Sequence, residues 1–285
     1  MKPGLPLLLL LGTMRVQRTL PSAASSAASL VLVGLTSELW RFLLFPLSMA
    51  LFHMASSVVN DLSDCSVDRV NVPGRALPSG RVSRGFLQAL FVLLFGGGLL
   101  AAFALDFLYF LAAGTFGFIY VLAYSYGPSF KNRPLGSFAY YTLSGSAAPY
   151  VMASLMARSL GFDSLVFASL LALLATCAVM GSMGDYEGDL RGGKKTLPVA
   201  LGFDRARRVL AAMVLGAAAA YPALYHVFSF SPAFPIFAVL PLSLRAALFY
   251  LVLRCNNPQA FRRLSPLYRV LIAADMTVLA LTWEG

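Results

Sequence analysis

The stretch Asn60-Asp61-Leu62-Ser63-Asp64-Cys65-Ser66-Val67-Asp68 places three carboxylates at the end of a strongly apolar segment, where charged groups are costly. A second stretch, Asp185-Tyr186-Glu187-Gly188-Asp189, repeats this arrangement after another apolar segment. Together the two stretches hold six of the twelve acidic residues of the chain. This concentration indicates that the carboxylates act together.

The composition around these stretches is typical of a polytopic membrane protein. Of the 285 residues, 59% are hydrophobic and 12% are charged, about half the charged fraction of an average soluble domain. Nine apolar segments are each long enough to cross a bilayer as a helix. They are 20–37, 39–60, 85–105, 107–126, 134–157, 163–184, 206–228, 232–253 and 266–283.

We predict an all-α fold in which residues 20–285 form a single domain, a bundle of nine transmembrane helices around a central cavity. Residues 1–19 are then a mobile or interfacial N-terminal leader on the cytoplasmic side.

The distribution of basic residues supports this count. If all nine segments span, 19 of the 22 Lys and Arg residues lie on one side of the membrane. The positive-inside rule makes that side the cytoplasm, so we expect an integral protein of the cell membrane with a cytoplasmic N-terminus. Both acidic stretches then open to the cytoplasm. The net charge of +10 follows from this topology, and we expect contact with membrane lipids and no nucleic-acid partner. No pattern in the sequence indicates an oligomeric state.

Helical spacing brings the acidic side chains together. Asn60, Asp64 and Asp68 recur at every fourth residue, with Asp61 beside Asn60, so on a helix the four share one narrow sector. The two aspartates of the second stretch share a face in the same way. Crowded carboxylates raise one another's pKa unless cations lie among them. Oxygen ligands from Asn and Asp suit Mg²⁺, which is often completed by substrate phosphates. The predicted metal ligands are Asn60, Asp61, Asp64, Asp68, Asp185 and Asp189.

Basic residues crowd the same loops, and a diphosphate needs cationic donors as well as Mg²⁺. The predicted diphosphate-binding residues are Asn60, Arg75, Tyr126, Lys131 and Lys195. We attribute four other basic residues to topology alone, namely Arg207, Arg208, Arg262 and Arg263. A cavity with Mg²⁺ at one end and apolar walls beyond suits a prenyl diphosphate, whose allylic carbocation is stabilised by aromatic faces. Candidates for those faces are Tyr120, Tyr124, Tyr126, Tyr140, Tyr141 and Tyr150.

One further charged pair lies inside the predicted spans. Arg245 and Asp275 are each nine residues from the cytoplasmic end of their span, and the two spans form an antiparallel hairpin. They should therefore lie at a similar depth. Buried charges in membranes usually pair, so we predict a structural ion pair between them in preference to a ligand site.

The two acidic stretches resemble the motifs of the UbiA superfamily of intramembrane prenyltransferases. The first stretch matches NDxxDxxxD in full, and Asp185 with Asp189 matches DxxxD. The resemblance implies that both motifs bind Mg²⁺ and the diphosphate of a prenyl donor, with Asp64, Asp68, Asp185 and Asp189 as the catalytic residues. Lys131 matches the family's basic residue in the loop after the fourth helix.

Within the superfamily, residues 77–83 and the segment from Glu187 to Pro198 are most similar to the archaeal digeranylgeranylglyceryl phosphate synthases. That branch transfers a geranylgeranyl group to the hydroxyl of geranylgeranylglyceryl phosphate. Enzymes that prenylate 4-hydroxybenzoate or related quinone precursors share both motifs, so the acceptor is a lipid or an aromatic compound. A secondary transporter is the alternative of another class, and it predicts binding groups near mid-membrane on broken helices.

Overall fold

A computed structural model of the protein describes residues 7–284, without the side chains of Leu7, Leu8, Arg18, Val70 and Asn71. Within this part of the chain, six helices are long and apolar enough to cross a membrane. They are Leu39–Ser63, Arg84–Leu105, Phe162–Gly184, Phe203–Val227, Phe234–Arg254 and Pro258–Thr282. Two shorter apolar helices, Thr19–Leu32 and Phe107–Ala123, accompany them. The all-helical class is thus confirmed, and six of the nine predicted spans have the length and hydropathy of a transmembrane helix.

Local irregularities divide the longer helices, so sixteen α-helices follow one another in the described residues. In chain order they are α1 (Leu7–Met14), α2 (Val16–Leu32), α3 (Leu39–Ser63), α4 (Cys65–Asn71), α5 (Arg84–Leu105), α6 (Phe107–Gly117), α7 (Pro134–Thr142), α8 (Ala148–Met156), α9 (Phe162–Leu174), α10 (Met180–Gly184), α11 (Tyr186–Arg191), α12 (Leu197–Leu201), α13 (Phe203–Gly216), α14 (Ala220–Val227), α15 (Phe234–Arg254) and α16 (Pro258–Thr282).

These helices pack as a closed ring. Helix α3 packs along α5, α5 along α6, α6 along α8, and α8 along α9. The turn after α9 contacts α13, which packs on α15, and α15 packs on α16. Helix α16 then contacts α2, which returns to α3 and completes the ring. Large apolar side chains cover the outside, and Leu93, Leu100 and Ile236 are each more than 70% exposed. An exposed apolar surface of this kind suits lipid.

Polar side chains fix where several helices begin. The Ser83 hydroxyl accepts a hydrogen bond from the Phe86 N–H at the start of α5. Asp106 accepts from the Tyr109 N–H at the start of α6, and Asn257 accepts from the Ala260 N–H at the start of α16. Each bond satisfies one of the N–H groups that the first turn of a helix leaves without an intrahelical partner.

Three irregular turns interrupt the regular helices of the ring. Wide π-helical turns occupy Phe118–Ala123 after α6 and Leu143–Ala147 between α7 and α8, and a tight 3₁₀ turn occupies Ala175–Val179. Such turns are frequent at functional sites because they redirect side chains out of the regular helical order. The predicted span 134–157 is therefore two short helices joined by a π turn.

Small polar residues let α2 pack tightly between α3 and α16. Ser25, Ser26 and Ser29 are completely buried, and the hydroxyl of Ser29 donates to the carbonyl of Ser25 within the helix. This is the close packing that serines and alanines allow between helices in membranes.

The described part of the predicted leader is helical. Helix α1 packs against α3, with Leu9 and Met14 partly buried against its apolar cluster. The rest of that prediction, residues 1–6, lies outside the described residues. Helices α1 and α2 meet at Arg15, whose backbone is left-handed with φ 53°.

The predicted ion pair between Arg245 and Asp275 is confirmed. Both side chains are buried, and the Arg245 guanidinium donates to Asp275. The Tyr221 hydroxyl donates to the same carboxylate at 2.6 Å, and Arg245 also donates to the Leu174 carbonyl at 3.2 Å. The pair therefore joins four helices of the ring.

Candidate active site

A central cavity of about 190 Å³ is lined by residues from the ends of α3 and α10. Both acidic stretches contribute to its wall, through Asn60, Asp64, Asp68, Asp185 and Asp189. Six basic residues also line it, namely Arg15, Arg75, Lys131, Lys194, Arg262 and Arg269. The structure thus brings together carboxylates from two stretches that are far apart in the sequence.

The two acidic stretches share one backbone device. Helix α3 ends at Ser63, and Asp64 leaves the helical conformation with φ −94° and ψ 6° before α4 begins. Helix α10 ends at Gly184, and Asp185 adopts φ −97° and ψ 4° before α11 begins. These angles lie in the sparsely allowed bridge region, where many active-site residues are found. Each break lets a short helix turn across the cavity and present a further aspartate.

A glycine lets those two short helices approach. Helices α4 and α11 are in contact, and a Cβ atom added to Gly192 would lie 3.2 Å from the Val67 side chain. Gly193 follows with a left-handed backbone, φ 68°, which a glycine adopts without strain. The chain then turns back, and the Lys194 N–H bonds the Asp189 carbonyl at 2.9 Å. This turn directs the Lys194 side chain into the cavity.

Two lysine side chains each contact more than one residue of the acidic stretches. The Nζ atom of Lys194 lies 3.1 Å from Asp64 Oδ2 and 3.4 Å from Asp189 Oδ1, so one ammonium group joins both stretches. The Nζ atom of Lys131 lies 2.7 Å from Asp64 Oδ1 and 3.4 Å from Asn60 Oδ1. At the rim, Arg262 lies 3.6 Å from Asp185 and donates through Nε to the Gly184 carbonyl.

The carboxylates differ in how well their charge is compensated. Burial would raise the pKa of Asp64, but Lys131 and Lys194 outweigh burial and hold that pKa below its usual value. Burial raises the pKa of Asp189, with Asp185 adding to the effect and Lys194 opposing it. Burial likewise raises the pKa of Asp68 in spite of Arg75. The side of the cavity near Asp68 and Asp189 therefore favours a further cation.

The donor set fits Mg²⁺ that is partly coordinated by substrate. Its side chains offer carboxylate and amide oxygens, the ligands that hard divalent cations prefer. Among residues 7–284, no three His, Cys, Asp or Glu side chains cluster closely enough to hold a metal ion by themselves. Because Mg²⁺ keeps several waters and takes one or two carboxylates, phosphate oxygens would complete its coordination.

A stack of aromatic rings leads away from the charged end of the cavity. The ring centroids of Phe116 and Tyr120 lie 4.6 Å apart, those of Tyr120 and Tyr140 lie 4.2 Å apart, and those of Tyr140 and Tyr124 lie 3.7 Å apart. Tyr140 is fixed by a 2.7 Å hydrogen bond between its hydroxyl and that of Ser56. The stack therefore lines one wall of the interior with aromatic rings.

A small apolar cavity of about 30 Å³ continues from the central cavity. The two share Ser22, His53 and Ser144 in their walls. The remaining lining is mostly apolar and includes Met49, Phe52, Phe116, Tyr120, Val121 and Met152. A ligand in this space would have a charged head among the aspartates and an apolar tail beside Phe116.

Comparison with known proteins identifies the family. The profile of the UbiA prenyltransferase family matches residues 20–272. The chain belongs to this family. A UbiA prenyltransferase is an enzyme that transfers prenyl groups, and membership together with the six apolar helices makes this an integral membrane protein. The transporter alternative is thereby set aside.

Several relatives agree with this assignment. A protein of Sulfolobus acidocaldarius named digeranylgeranylglyceryl phosphate synthase is 27% identical over 273 residues, which cover 94% of both chains. The apo structure of a UbiA homologue from Aeropyrum pernix K1 is 18% identical, with a TM-score of 0.76 over 92% of this chain and 98% of that one. A UbiA homologue from Archaeoglobus fulgidus bound to DMAPP and Mg²⁺ is also 18% identical, with a TM-score of 0.73 over 95% and 99%. The solved structures support the fold.

Some predicted site residues of this UbiA prenyltransferase lie elsewhere. Asp61 does not face the central cavity, so the prediction that it shares a sector with Asp64 is wrong. It points away and pairs with Arg15 and Arg75, because the turn of about 100° from Asn60 places it on another side of α3. The Arg75 side chain lies beside Asp68 at 2.5 Å and lines the central cavity as expected.

Two predicted diphosphate-binding residues are not brought to the cavity of the UbiA prenyltransferase. Tyr126 is 40% exposed and lies outside its lining. Lys195 is exposed, and only its backbone N–H is engaged, with the Asn132 carbonyl at 3.2 Å. Tyr150, a candidate for the aromatic wall, packs in an apolar cluster with Phe167 instead.

Other residues of the site were not found from the sequence. Lys194 takes the place expected for its neighbour Lys195. Arg262, attributed to topology, lies at the rim, as do Tyr268 and Arg269 from the same helix. No sequence pattern predicted these contacts, because they depend on how α16 packs against the helices that carry the acidic stretches.

Proposed function

We propose that this enzyme transfers a geranylgeranyl group from geranylgeranyl diphosphate to the free hydroxyl of geranylgeranylglyceryl phosphate, in a Mg²⁺-dependent reaction of ether lipid synthesis. The observation that carries the proposal is the placement of two aspartate sets around one cavity that continues into an apolar pocket. The name and the full-length similarity of the Sulfolobus acidocaldarius relative support the choice of acceptor.

The charged end of the cavity binds the diphosphate. Mg²⁺ would be held by Asn60, Asp64, Asp68, Asp185 and Asp189, and when bound it supplies positive charge to the leaving diphosphate. Lys131 and Lys194 exchange part of their contact with the carboxylates for hydrogen bonds to phosphate oxygens. We assign no metal contact to Asp61.

The apolar end orients the prenyl chain and excludes water. The bond between C1 and the diphosphate oxygen breaks with its electron pair going to the diphosphate, which leaves an allylic cation. Tyr124 ends the stack near Asp64, and the face of its ring that is turned away from Tyr140 stabilises this cation through the ring quadrupole. The acceptor hydroxyl oxygen then bonds to C1, and its proton passes to the released diphosphate. The tail of the donor lies beside Phe116.

We infer the membrane arrangement from the same features. Nine helical segments cross the cell membrane, residues 20–285 form one domain, and the N-terminus is cytoplasmic. The central cavity then opens to the cytoplasm, where a water-soluble diphosphate is released. The basic residues of the loops around the cavity, such as Arg75 and Lys131, meet the positive-inside rule as well as the needs of an anionic substrate.

A transfer assay tests the proposal. The purified enzyme in liposomes receives radiolabelled geranylgeranyl diphosphate and Mg²⁺, with geranylgeranylglyceryl phosphate or 4-hydroxybenzoate as acceptor and EDTA as control. We expect EDTA-sensitive product from the lipid acceptor alone. Prenylated 4-hydroxybenzoate would move the enzyme to quinone synthesis. Absence of product from both acceptors would overturn the proposed reaction.

A further inference from the structure

Asp61 belongs to the first acidic motif, yet it lines a second cavity. This cavity, of about 430 Å³, is lined by residues of α1, by Asp61 of α3 and by residues of the loop between α4 and α5. Asp61 pairs with the guanidinium groups of both Arg15 and Arg75, and these two arginines line the second cavity as well as the central one. A wall built from the three side chains therefore separates two neighbouring spaces.

Three arginines dominate the second cavity. Its lining consists of Leu9, Gly12, Thr13, Arg15, Asp61, Arg75, Ala76 and Arg81. Among the described residues, these three guanidinium groups pair with two carboxylates, Asp61 and, through Arg75, Asp68, which leaves an excess of one positive charge. Arg81 donates to neutral oxygens, the Gly74 carbonyl and the Ser79 hydroxyl, so its charge is not compensated by those contacts.

The backbone is arranged to bring one of these arginines in. Arg15 has a left-handed backbone, φ 53° and ψ 43°, which L residues adopt at a cost. That conformation joins α1 to α2 at an angle and lets the side chain reach Asp61. Strain retained at a non-glycine residue is common at ligand-binding sites, because neighbouring contacts hold the residue in place.

We propose that this arginine-lined cavity binds the phosphate monoester of the acceptor lipid. A phosphate monoester carries between one and two negative charges near neutral pH, so its charge is opposite in sign to the excess charge of the cavity. Guanidinium groups bind phosphate through paired hydrogen bonds, for which Arg is better suited than Lys. The identity of the acceptor rests on the proposed function.

The position of the cavity explains why it suits the acceptor and not the donor. Carboxylates of both acidic motifs face the central cavity, and Asp61 is the only residue of those motifs among the described side chains that line the second one. A diphosphate that needs Mg²⁺ is therefore bound on one side of the Arg15–Asp61–Arg75 wall. A phosphate that needs no metal is bound on the other side.

The apolar part of the cavity accommodates the beginning of a lipid tail. Leu9, Gly12 and Thr13 come from α1, whose sequence Leu7–Leu11 is wholly leucine. A Cβ atom added to Gly12 would meet no atom within 4 Å, so the space beside α1 is open. The lipid phosphate is thus held at the arginines with its chain along α1.

Two variants separate this cavity from the catalytic one. Arg81 and Gly12 line only the second cavity, so Arg81→Gln removes a phosphate donor and Gly12→Leu fills the space without touching an arginine. Arg208→Gln, at an exposed arginine of α13, is the matched control for loss of one positive charge. The probes are geranylgeranylglyceryl phosphate, geranylgeranylglycerol without the phosphate, and inorganic phosphate.

Binding to the full-length protein in detergent is measured together with transfer kinetics. We expect the Kd and KM for the phosphorylated lipid to rise at least tenfold in both Arg81→Gln and Gly12→Leu. The KM for the prenyl diphosphate and the kcat at saturating acceptor should not change, and Arg208→Gln should behave as the native protein. The native protein should bind the lipid without phosphate at least tenfold more weakly than it binds the phosphorylated lipid.

The outcomes distinguish this site from the proposed function. Unchanged lipid affinity in both variants would overturn the site, and so would inorganic phosphate binding as tightly as the phosphorylated lipid. If the variants lose lipid binding but the native protein transfers no prenyl group to that lipid, the anionic lipid site stands and the proposed function fails.

Discussion

Asp64 and Asp189 lie against one atom, the Nζ of Lys194, at 3.1 and 3.4 Å. The two carboxylates come from different motifs at the ends of α3 and α10, so a single cation joins the two halves of the site. In the absence of substrate the lysine thus stabilises a cluster that would otherwise repel itself. When a diphosphate and its metal enter, this ammonium group is positioned to move to phosphate.

Removal of either carboxylate should abolish turnover. We expect Asp64→Ala and Asp189→Ala each to lower kcat by at least about 100-fold, because the negative diphosphate then departs with less compensation of its charge. Asp189→Ala should stay as stable as the native protein, because burial and Asp185 disfavour the charge of Asp189. Asp64→Ala should fold with a lower melting temperature, because Lys131 and Lys194 lose a carboxylate that compensates their charge. Rates of prenyl transfer and thermal unfolding in detergent are the measurements. Asp204→Ala, at an exposed position of α13, is the control. Native rates in both active-site variants would remove the assignment of the metal site.

Lys194 and Lys195 form a matched pair for a test of diphosphate binding. Lys194 lines the cavity, whereas the side chain of Lys195 is exposed. We expect Lys194→Met to raise the KM for the prenyl diphosphate roughly tenfold, as one charge-assisted hydrogen bond contributes about 1.5–3 kcal/mol. Lys195→Met should change that KM less than twofold. Equal effects of the two substitutions would show that the lysines act through net charge and not through contact.

The same pair shows what sequence spacing can and cannot decide. Helical periodicity was enough to predict that Asn60, Asp64 and Asp68 lie near the second motif. Their spacing of four residues keeps the three side chains on one side of the chain although α3 ends before Asp64. The choice between the two lysines depends on the left-handed turn at Gly193, which reverses the side on which the next residue lies. Adjacent residues point in different directions, so an error of one position exchanges a buried residue for an exposed one.

Other parts of the site depend on packing between remote segments. The depth of Arg245 and Asp275 could be predicted because both distances are counted along the chain from a membrane surface. The contact of Arg262 with Gly184 could not, since it requires a glycine at which an added Cβ atom would lie 2.8 Å from the arginine side chain. Such a close approach leaves no periodic pattern in the sequence.

Asp106, between α5 and α6, gives a pH-dependent contribution to stability. Partial burial would raise the pKa of Asp106, but hydrogen bonds from Arg158 and from the Tyr109 N–H outweigh burial and hold the pKa below its ordinary value of 3.8. Because the folded protein favours the charged form, the stabilisation is present above about pH 3.8 and is lost as the pH falls through the lower folded value.

The measurement for Asp106 is the melting temperature as a function of pH. At pH 7, Asp106→Asn should destabilise the protein by less than about 1 kcal/mol, as expected for a partly exposed ion pair. The difference from the native protein should shrink below pH 4. Asp106→Ala also removes the cap of α6 and should cost about 1 kcal/mol more. A difference between Asp106→Asn and the native protein that persists at the same size down to pH 3 would contradict the assignment.

Phe116 should limit the length of the prenyl chain. Its ring lines the apolar cavity, whereas Phe103 and Phe118 are 59% and 61% exposed on the outer surface, where they cannot set the depth of that cavity. We expect Phe116→Ala to improve kcat/KM for a donor one isoprene unit longer than the native substrate, relative to the native donor. Phe118→Ala should leave this ratio unchanged, and competition between the two donors measures it. An unchanged ratio in Phe116→Ala would mean that the tail leaves by another route.

The buried pair of Arg245 and Asp275 should matter for stability and not for substrate binding. Neither residue lines the central cavity. Asp275→Leu should lower the free energy of unfolding in bicelles by about 3–5 kcal/mol, because it leaves a buried guanidinium group without its counter-charge. The double variant Arg245→Met with Asp275→Leu should recover most of that loss, since no uncompensated charge remains. Tyr221→Phe, which removes only the 2.6 Å hydrogen bond to Asp275, should lower the free energy of unfolding by about 1.5–3 kcal/mol.

The KM for the prenyl diphosphate should stay at its native value in the double variant of Arg245 and Asp275. A rise in that KM, with stability restored, would show that the pair orders the cavity and does more than hold four helices together.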